Sequence, residues 1–544
     1  MFALRYSPAA GPRIWAASTE RISGPRGWIE PFRHPMIEAR GVVDGRGNLG
    51  VAVLERPHPS SGAVSAPSLS ASGGDQEDEL ASARELTRRW PLHWFWIEIA
   101  DGSLAIEASP LPTAPVFVAS SGSSAWAHWD PLELYPHVEP ALDLDMAAHY
   151  LCTFEQPYGR RTVVRGLTQV AAGYQALWRP TEGWTLAPPS AYPQSYPRAL
   201  AAQSDPVASL EHLLASALKR LLPERRLKVA AGLSGGLDST AVAGTAARRG
   251  HPVAAFGLIM PGLDGAAQQE RRRTIVERFG MSDRPSPTAQ APPWSSDHGR
   301  IGADRVVPWE ELHYDLFGGL YAKAAAEGHT VFLSGFGGDE LVQPYWDELD
   351  ERDPELELMR EGCSLPSFLT ARVRDGREER AAELMTAPAA FAQRSAMDAA
   401  AGAAAQHLRH GLWPIHLLIT PEVVRYCHAL PREWRERRRL MRDMLRRWGL
   451  PSGVTDPAST ESFSGISVAP LRQCPRFRAL VRAPMLSDLG LVEPGAMDEA
   501  FRSWLAGSAP ASFDVHFIAA VLEATLASLQ AARGSAAGDE AEVT

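Results

Sequence analysis

Lysine is almost missing from this chain of 544 residues: it occurs only at Lys219, Lys228 and Lys323, so 51 of the 54 basic residues are arginines. Chemistry that needs a titratable amine on the protein is therefore confined to three places. Positive charge is in deficit overall, since 64 acidic residues leave a net charge of −10, and a chain of that sign has no general attraction for nucleic acid. Cysteine is scarce as well. Cys152, Cys363, Cys427 and Cys474 lie far apart with no Cys-x-x-Cys pair, a pattern that fits neither a disulfide framework nor a zinc site and suits a reducing cytoplasm. The longest apolar runs, such as Val253 to Met260, have the length of a strand rather than of a membrane span. No charged-then-apolar opening resembles a signal peptide. The expectation is a cytoplasmic protein with neither nucleic acid nor membrane as partner.

The length asks for two or more domains. Residues 1 to about 200 read as β-rich: Gly50–Leu54, Leu92–Ile99 and Val116–Ala119 are short apolar runs separated by Pro, Gly and Ser clusters. The aromatic run Trp94-Phe95-Trp96 reads as core, Ser60 to Asp78 as a low-complexity loop, and Pro188 to Pro206 as a linker. From Pro206 the pattern alternates. A helix (Val207–Leu222), a strand (Lys228–Leu233), a helix (Ser239–Arg249), a strand (Val253–Leu258), a helix (Glu310–Glu327) and a strand (Thr330–Leu333) imply a doubly wound parallel sheet, with its ligand at the C-terminal strand ends. Beyond about residue 360 the chain reads as mostly helical.

Two such strand ends carry glycine turns. The run Val229-Ala-Ala-Gly-Leu-Ser-Gly-Gly-Leu-Asp-Ser-Thr240 leaves a strand through Ser234-Gly235-Gly236 and enters a helix. Without Cβ atoms in the way, backbone N–H groups can close on a phosphate chain, and the helix N-terminus favours anions. Asp238 stands in that mouth, and a carboxylate beside phosphates points to Mg²⁺. The loop lacks the Gly-Lys-Ser/Thr ending of a P-loop. Roughly 100 residues later the strand Val331-Phe-Leu333 ends in Ser334-Gly-Phe-Gly-Gly-Asp-Glu340, another glycine turn followed by a carboxylate. The bland alternatives are a ligand-free turn and an acidic helix cap.

Together these motifs resemble the Ser-Gly-Gly-x-Asp-Ser and Ser-Gly-x-Gly-x-Asp-Glu loops of the asparagine synthetase-like, ATP-dependent amide-forming enzymes. The resemblance continues through Ala148–Phe154, Thr162–Leu167 and Val170–Gly173, and through Pro421–Pro451. It implies an α/β fold: a β-rich, degenerate glutaminase-like (Ntn-type) domain over residues 1–200, then a parallel-sheet ATP pyrophosphatase domain over residues 205–535 with a helical C-terminal part. It also implies that Asp238 and Asp339 share the magnesium. Leu233, Ser234, Gly235, Gly236, Ser239, Thr240, Ser334 and Gly335 are then the ATP contacts, with Phe256 near the adenine.

Departures from the family narrow the branch. Glutamine-using members carry Cys at position 2; here it is Phe2, whose ring cannot attack an amide, so the amine must arrive with the substrate. The x of Ser-Gly-x-Gly is Phe336, which cannot relay a proton as the tyrosine of β-lactam synthetases does. The position of a family lysine holds Thr460, three residues before Phe463, and an earlier family lysine aligns with Arg438, whose fixed charge suits departing pyrophosphate. Within Arg432–Arg447, which holds eight arginines in sixteen residues, Arg438 and Arg442 are the site candidates and the rest read as a solvated face. The best match is the lasso peptide cyclase branch: adenylation of an Asp or Glu side chain of a precursor peptide, then ring closure by the peptide's N-terminal amine. A leader-peptide-binding protein and a cysteine protease are the pathway partners this implies. The alternatives are a β-lactam or other small-molecule amide synthetase, and an ATP-binding scaffold without activity.

Overall fold

A computed structural model describes residues 1–8, 14–59, 61–71, 78–111, 113–153, 160–193, 195–288, 305–310, 313–342, 365–376, 379–380, 391–458, 474–506 and 513–542. Its first part is a sandwich of two sheets, of eight and seven strands, antiparallel except where Ile37–Val43 runs parallel to Ser68–Ala71. Alternation drives the packing: Phe2, Leu4 and Tyr6 of one sheet meet Val51, Val53, Phe95 and Ile97 of the other. Trp94 and Trp96 point to the opposite face, under the helix Asp78–Arg88, so the aromatic run is core on both sides. Asp101 and Gly102, both at positive φ, make the two-residue turn joining Trp94–Ala100 to Ser103–Ala108. The 60–78 stretch is not all loop: Ser68–Ala71 finds a ladder on an edge strand, a long-range pairing that local composition does not announce.

The second part is a five-stranded parallel sheet. Val229–Gly232 lies at its centre, between Val253–Ile259 and Val331–Leu333, with Ser282–Pro287 and Trp413–Ile415 at the edges. The α/β reading with a helical C-terminal part therefore holds. Both edge strands escaped the sequence pattern. Ser282–Pro287 is polar and contains Pro285, and Trp413–Ile415 has three residues with Pro414 in the middle; proline is tolerated only where a strand has a free edge. The helix expected from Glu310 begins at Tyr314. Glu310 is instead buried and pairs with Arg409, which also grips Asp130 of the sandwich at 2.6 Å.

The two parts share one apolar cluster. At their junction Trp413 Nε1 donates to Glu55 Oε1 at 2.6 Å, the His34 ring bonds Thr330 O at 2.9 Å, and His58 N donates to Leu221 O at 2.8 Å. Burial pushes the Glu55 carboxyl up to about 7, against the hydrogen bonds from His93 N and Trp413. Among the described residues one stretch, Val515–Arg533, is long and apolar enough to cross a membrane, and 78% of it is buried inside the fold.

Candidate nucleotide and metal site

The first glycine loop begins where the Val229–Gly232 strand ends. Leu233 is buried, with its N–H on Phe256 O at 2.6 Å, and Gly235 takes φ +98°, a left-handed conformation that glycine adopts without strain. Gly236 caps the helix Leu237–Arg248 with no side-chain hydrogen bond, so the helix mouth is left to backbone N–H groups. Hydroxyls brace the turn from within. Ser239 Oγ accepts from Ser234 N at 3.2 Å and donates to Gly236 O at 3.2 Å, and Ser234 Oγ accepts from Gly236 N at 3.1 Å. Thr240 is fully buried and donates to Gly236 O at 2.6 Å, so its side chain holds the loop rather than facing a ligand.

Sequence reasoning missed what lies under the loop. Gln268 donates to Ser234 O at 3.0 Å and to Leu258 O at 2.9 Å, while its oxygen accepts from Met260 N at 3.0 Å. Beside it Arg272, 1% exposed, pairs with Asp283 and bonds Ala255 O, leaving Nε and Nη1 without partners among the described residues. Gly257 makes room for this guanidinium, since a Cβ there would lie 2.0 Å from Nη1. A fixed positive charge thus backs the loop. Both residues sit on a helix, Gly262–Phe279, that carries no motif, so only the fold could nominate them.

The second loop packs directly on the first. A Cβ on Gly335 would stand 2.9 Å from Ser239 N, and one on Gly338 would stand 2.1 Å from Asp238 Cγ. These glycines are required by the approach of one motif to the other. Asp238 and Asp339 are brought together, and Arg438 bridges them, in contact with Asp238 and 2.9 Å from Asp339 Oδ1. Asp238 is mostly buried and Asp339 mostly exposed; burial raises the Asp238 carboxyl to about 6, with Arg438 opposing the shift. Its Oδ1 is buried with no hydrogen-bond partner among the described residues. Two carboxylates, one with a spare buried oxygen, form a hard all-oxygen donor pair of the kind Mg²⁺ takes, the remaining ligands coming from phosphate and water. Among the described residues no cluster of three or more His, Cys, Asp or Glu could hold a metal unaided.

Arg438 reaches the carboxylates because Arg437 and Arg438 are both left-handed, at φ +48° and +58°. Two consecutive arginines in that region are strained, by about 1–2 kcal/mol each. Arg442 holds the turn: it donates to Arg437 O at 2.8 Å, Thr455 O at 2.9 Å and Asp456 at 2.6 Å, so it is engaged in structure. Asp339, Arg438 and these neighbours line a cleft of about 870 Å³ with five arginines and four carboxylates. The rest of the arginine run is not uniformly solvated, for Arg435 is buried and donates to Leu430 O at 3.0 Å.

The remaining expected site positions are placed as follows. The Phe256 ring is fully buried, edge-on to His329 and packed near Phe332, so the ring itself is withheld from an adenine. Ser334 is buried and shares a 2.6 Å hydrogen bond with His416 Nδ1, a residue the sequence had not singled out. Phe336 stacks obliquely near the same histidine, 5.6 Å between ring centroids. Thr460 and Phe463 lie outside the described residues.

Comparison with known proteins agrees with this geometry at one level. Residues 209–284, which contain the whole first loop, match the family model for asparagine synthase. That segment is asparagine synthetase-like. No curated protein matches the chain in sequence. Structural similarity to the following solved structures is weak. The U34-tRNA thiolase NcsA from Methanococcus maripaludis is 13% identical, with 58% of this chain and 86% of that one covered and a TM-score of 0.27. NMN synthetase from Francisella tularensis is 11% identical over 58% and 92%, with a TM-score of 0.23. The glutamine PRPP amidotransferase from B. subtilis is 10% identical over 55% and 77%, with a TM-score of 0.19. Scores this low carry no argument about architecture or activity.

Proposed function

We propose that this protein is an ATP-dependent, AMP-forming amide ligase, and within that class a lasso peptide cyclase that closes a macrolactam on a precursor peptide. The observation that carries the reading is the contact of Gly335 and Gly338 with Ser239 and Asp238, which places two phosphate-type loops and two carboxylates at one point. ATP lies across the strand ends, its phosphates at the N-terminal mouth of the helix Leu237–Arg248, whose first N–H groups have no side-chain cap. Asp238 and Asp339 would hold Mg²⁺, which supplies charge neutralisation between the phosphates when bound. A peptide Asp or Glu oxygen attacks the α-phosphorus, forming the acyl-adenylate and expelling pyrophosphate. Arg438 shifts from the carboxylates to the departing anion and balances its charge without exchanging a proton. The peptide's amine then attacks the acyl carbon, AMP leaves, and the amide forms with loss of the amine proton.

The sandwich supports an amine that comes with the substrate. Phe2 is fully buried against Phe95, edge-on at 5.4 Å, and burial holds the Met1 amine well below its ordinary range. A phenyl ring at position 2 offers no nucleophile. Holding carboxylate and amine on one chain gives the second step an effective concentration worth about 7–11 kcal/mol in favourable cases.

A second reading, an ATP-binding scaffold without activity, is favoured by the Arg438 bridge, since a guanidinium already neutralises the pair that a divalent cation needs. Pyrophosphate release with ATP, Mg²⁺ and candidate peptides separates the two. The ligase reading expects release coupled to a peptide product lighter by one water. ATP binding without release across acids and peptides would establish the scaffold.

A further inference from the structure

Between the sandwich and the edge of the parallel sheet lies a second cavity, of about 580 Å³, well inside the size range of ligand pockets, roughly 300–1,000 Å³. Its position follows from topology. Trp413–Ile415 pairs in parallel with Val331–Leu333, so His416 emerges beside Ser334, at the same end of the sheet as both glycine loops. Ligands of parallel sheets collect at that end. One layer of side chains separates the cavity from the second loop. His416 holds Ser334, and Ile419 fills the space where a Cβ on Gly337 would stand, 2.6 Å from Ile419 Cγ1.

The lining is selective. Trp90, Leu92, Trp94 and Leu111 face it from the sandwich, Leu213 and Ile419 from the sheet domain. His416 also lines it, and its Nε2 is shielded from water without a hydrogen-bond partner among the described residues. Such an atom is costly to leave unpaired and is satisfied by a ligand's polar group. On the rim, Arg88 is paired with Glu107 and Arg220 with Glu422, whereas Arg425 is exposed and makes no ion pair among the described residues. An ammonia- or methylamine-sized occupant would leave most of this volume and its apolar walls unfilled.

We propose that this interdomain cavity reads the peptide substrate: it takes a segment that joins an apolar side chain to a carboxylate. The apolar group lies against Trp94 and Leu213, the carboxylate faces Arg425, and a polar group of the segment meets His416 Nε2. Through the His416–Ser334 hydrogen bond, occupancy is coupled to the loop that lines the nucleotide. The assignment rests on the peptide-ligase reading and adds where the peptide is recognised.

The test uses the full-length protein and two pools of random octapeptides, fluorescein-labelled at the C-terminus, with Asp fixed at one position in the first and Asn in the second. Fluorescence anisotropy reads binding, and the thermal shift induced by ATP reports that each variant is folded. The parent is expected to favour the Asp pool by about fivefold. Leu213→Trp, which fills the cavity, weakens both pools by about tenfold or more, and the surface variant Arg425→Glu erases the Asp preference. Parent-like binding of both pools by both variants would overturn the cavity assignment while leaving the ligase reading in place. Failure of either pool to bind the parent, with pyrophosphate released from non-peptide acids and amines, would remove the peptide reading and this assignment together.

Discussion

The sandwich and the parallel sheet treat the ends of their strands in opposite ways. In the sandwich the first strand begins with Met1 and Phe2 at zero exposure, Phe2 edge-on to Phe95 of the facing sheet. In the parallel sheet the central strand Val229–Gly232 runs into an exposed Ser234 and a glycine turn, where the second loop closes on Asp238 and leaves Asp339 exposed. One end is filled by a phenyl ring, and at the other the absence of Cβ atoms lets two loops meet. A large apolar residue makes the first strand's start part of the core, whereas the glycine-lined end brings together the two carboxylates and Arg438.

The sharpest way to break that contrast is at the glycine-lined end. Asp238→Ala is expected to lower pyrophosphate release by about 10³-fold, since the carboxylate pair is lost, while urea unfolding shows a fold that persists. Glu55 tests the junction between the two regions. Its folded carboxyl titrates near 7, above its ordinary 4.5, so the folded state binds the extra proton. Stability is therefore full below the ordinary value and falls as pH rises towards 7, by on the order of 3 kcal/mol. Urea midpoints at pH 5 and pH 8 should show this loss, and Glu55→Gln should flatten it. Gly338→Ala comes next: a methyl 2.1 Å from Asp238 Cγ forces the loops apart. We expect about 1–3 kcal/mol of destabilisation together with weaker ATP binding, both measurable by thermal shift. A variant that binds ATP normally would show that loop contact is not what builds the site. The smallest effect is expected at the closed end. Phe2→Cys should release no ammonia from glutamine above the parent's background, because a thiol placed at zero exposure meets no substrate.

How much of this was legible in advance depends on the range of the forces involved. The central strand, its loop and the following helix were read to within two or three residues, because apolar run, glycines and helix start are all local signals. The edge strands Ser282–Pro287 and Trp413–Ile415 were invisible, since their hydrogen bonds come from distant partners and their compositions are polar or proline-bearing. The family resemblance pairs Asp238 with Asp339, and the structure brings them under one guanidinium. His416, Gln268 and Arg272 had no motif to mark them. Thr240 and Phe256 are expected beside the nucleotide; the side chains of both are buried in the fold, and sequence spacing does not say which face of a strand or helix a side chain takes.

By itself, the sequence determined the alternation that makes a parallel sheet, the two glycine loops at its strand ends, the carboxylate in each, and the lack of a nucleophile at position 2. These follow from local periodicity and residue chemistry. Only the tertiary structure decided that Gly338 must be glycine, that Arg438 bridges both carboxylates from a left-handed turn held by Arg442, and that a cavity opens between the domains beside His416. Each of those is a meeting of segments 80 or more residues apart, or of one segment with a turn that only such a meeting can hold, and contact across that distance is set by packing rather than by neighbours in the chain.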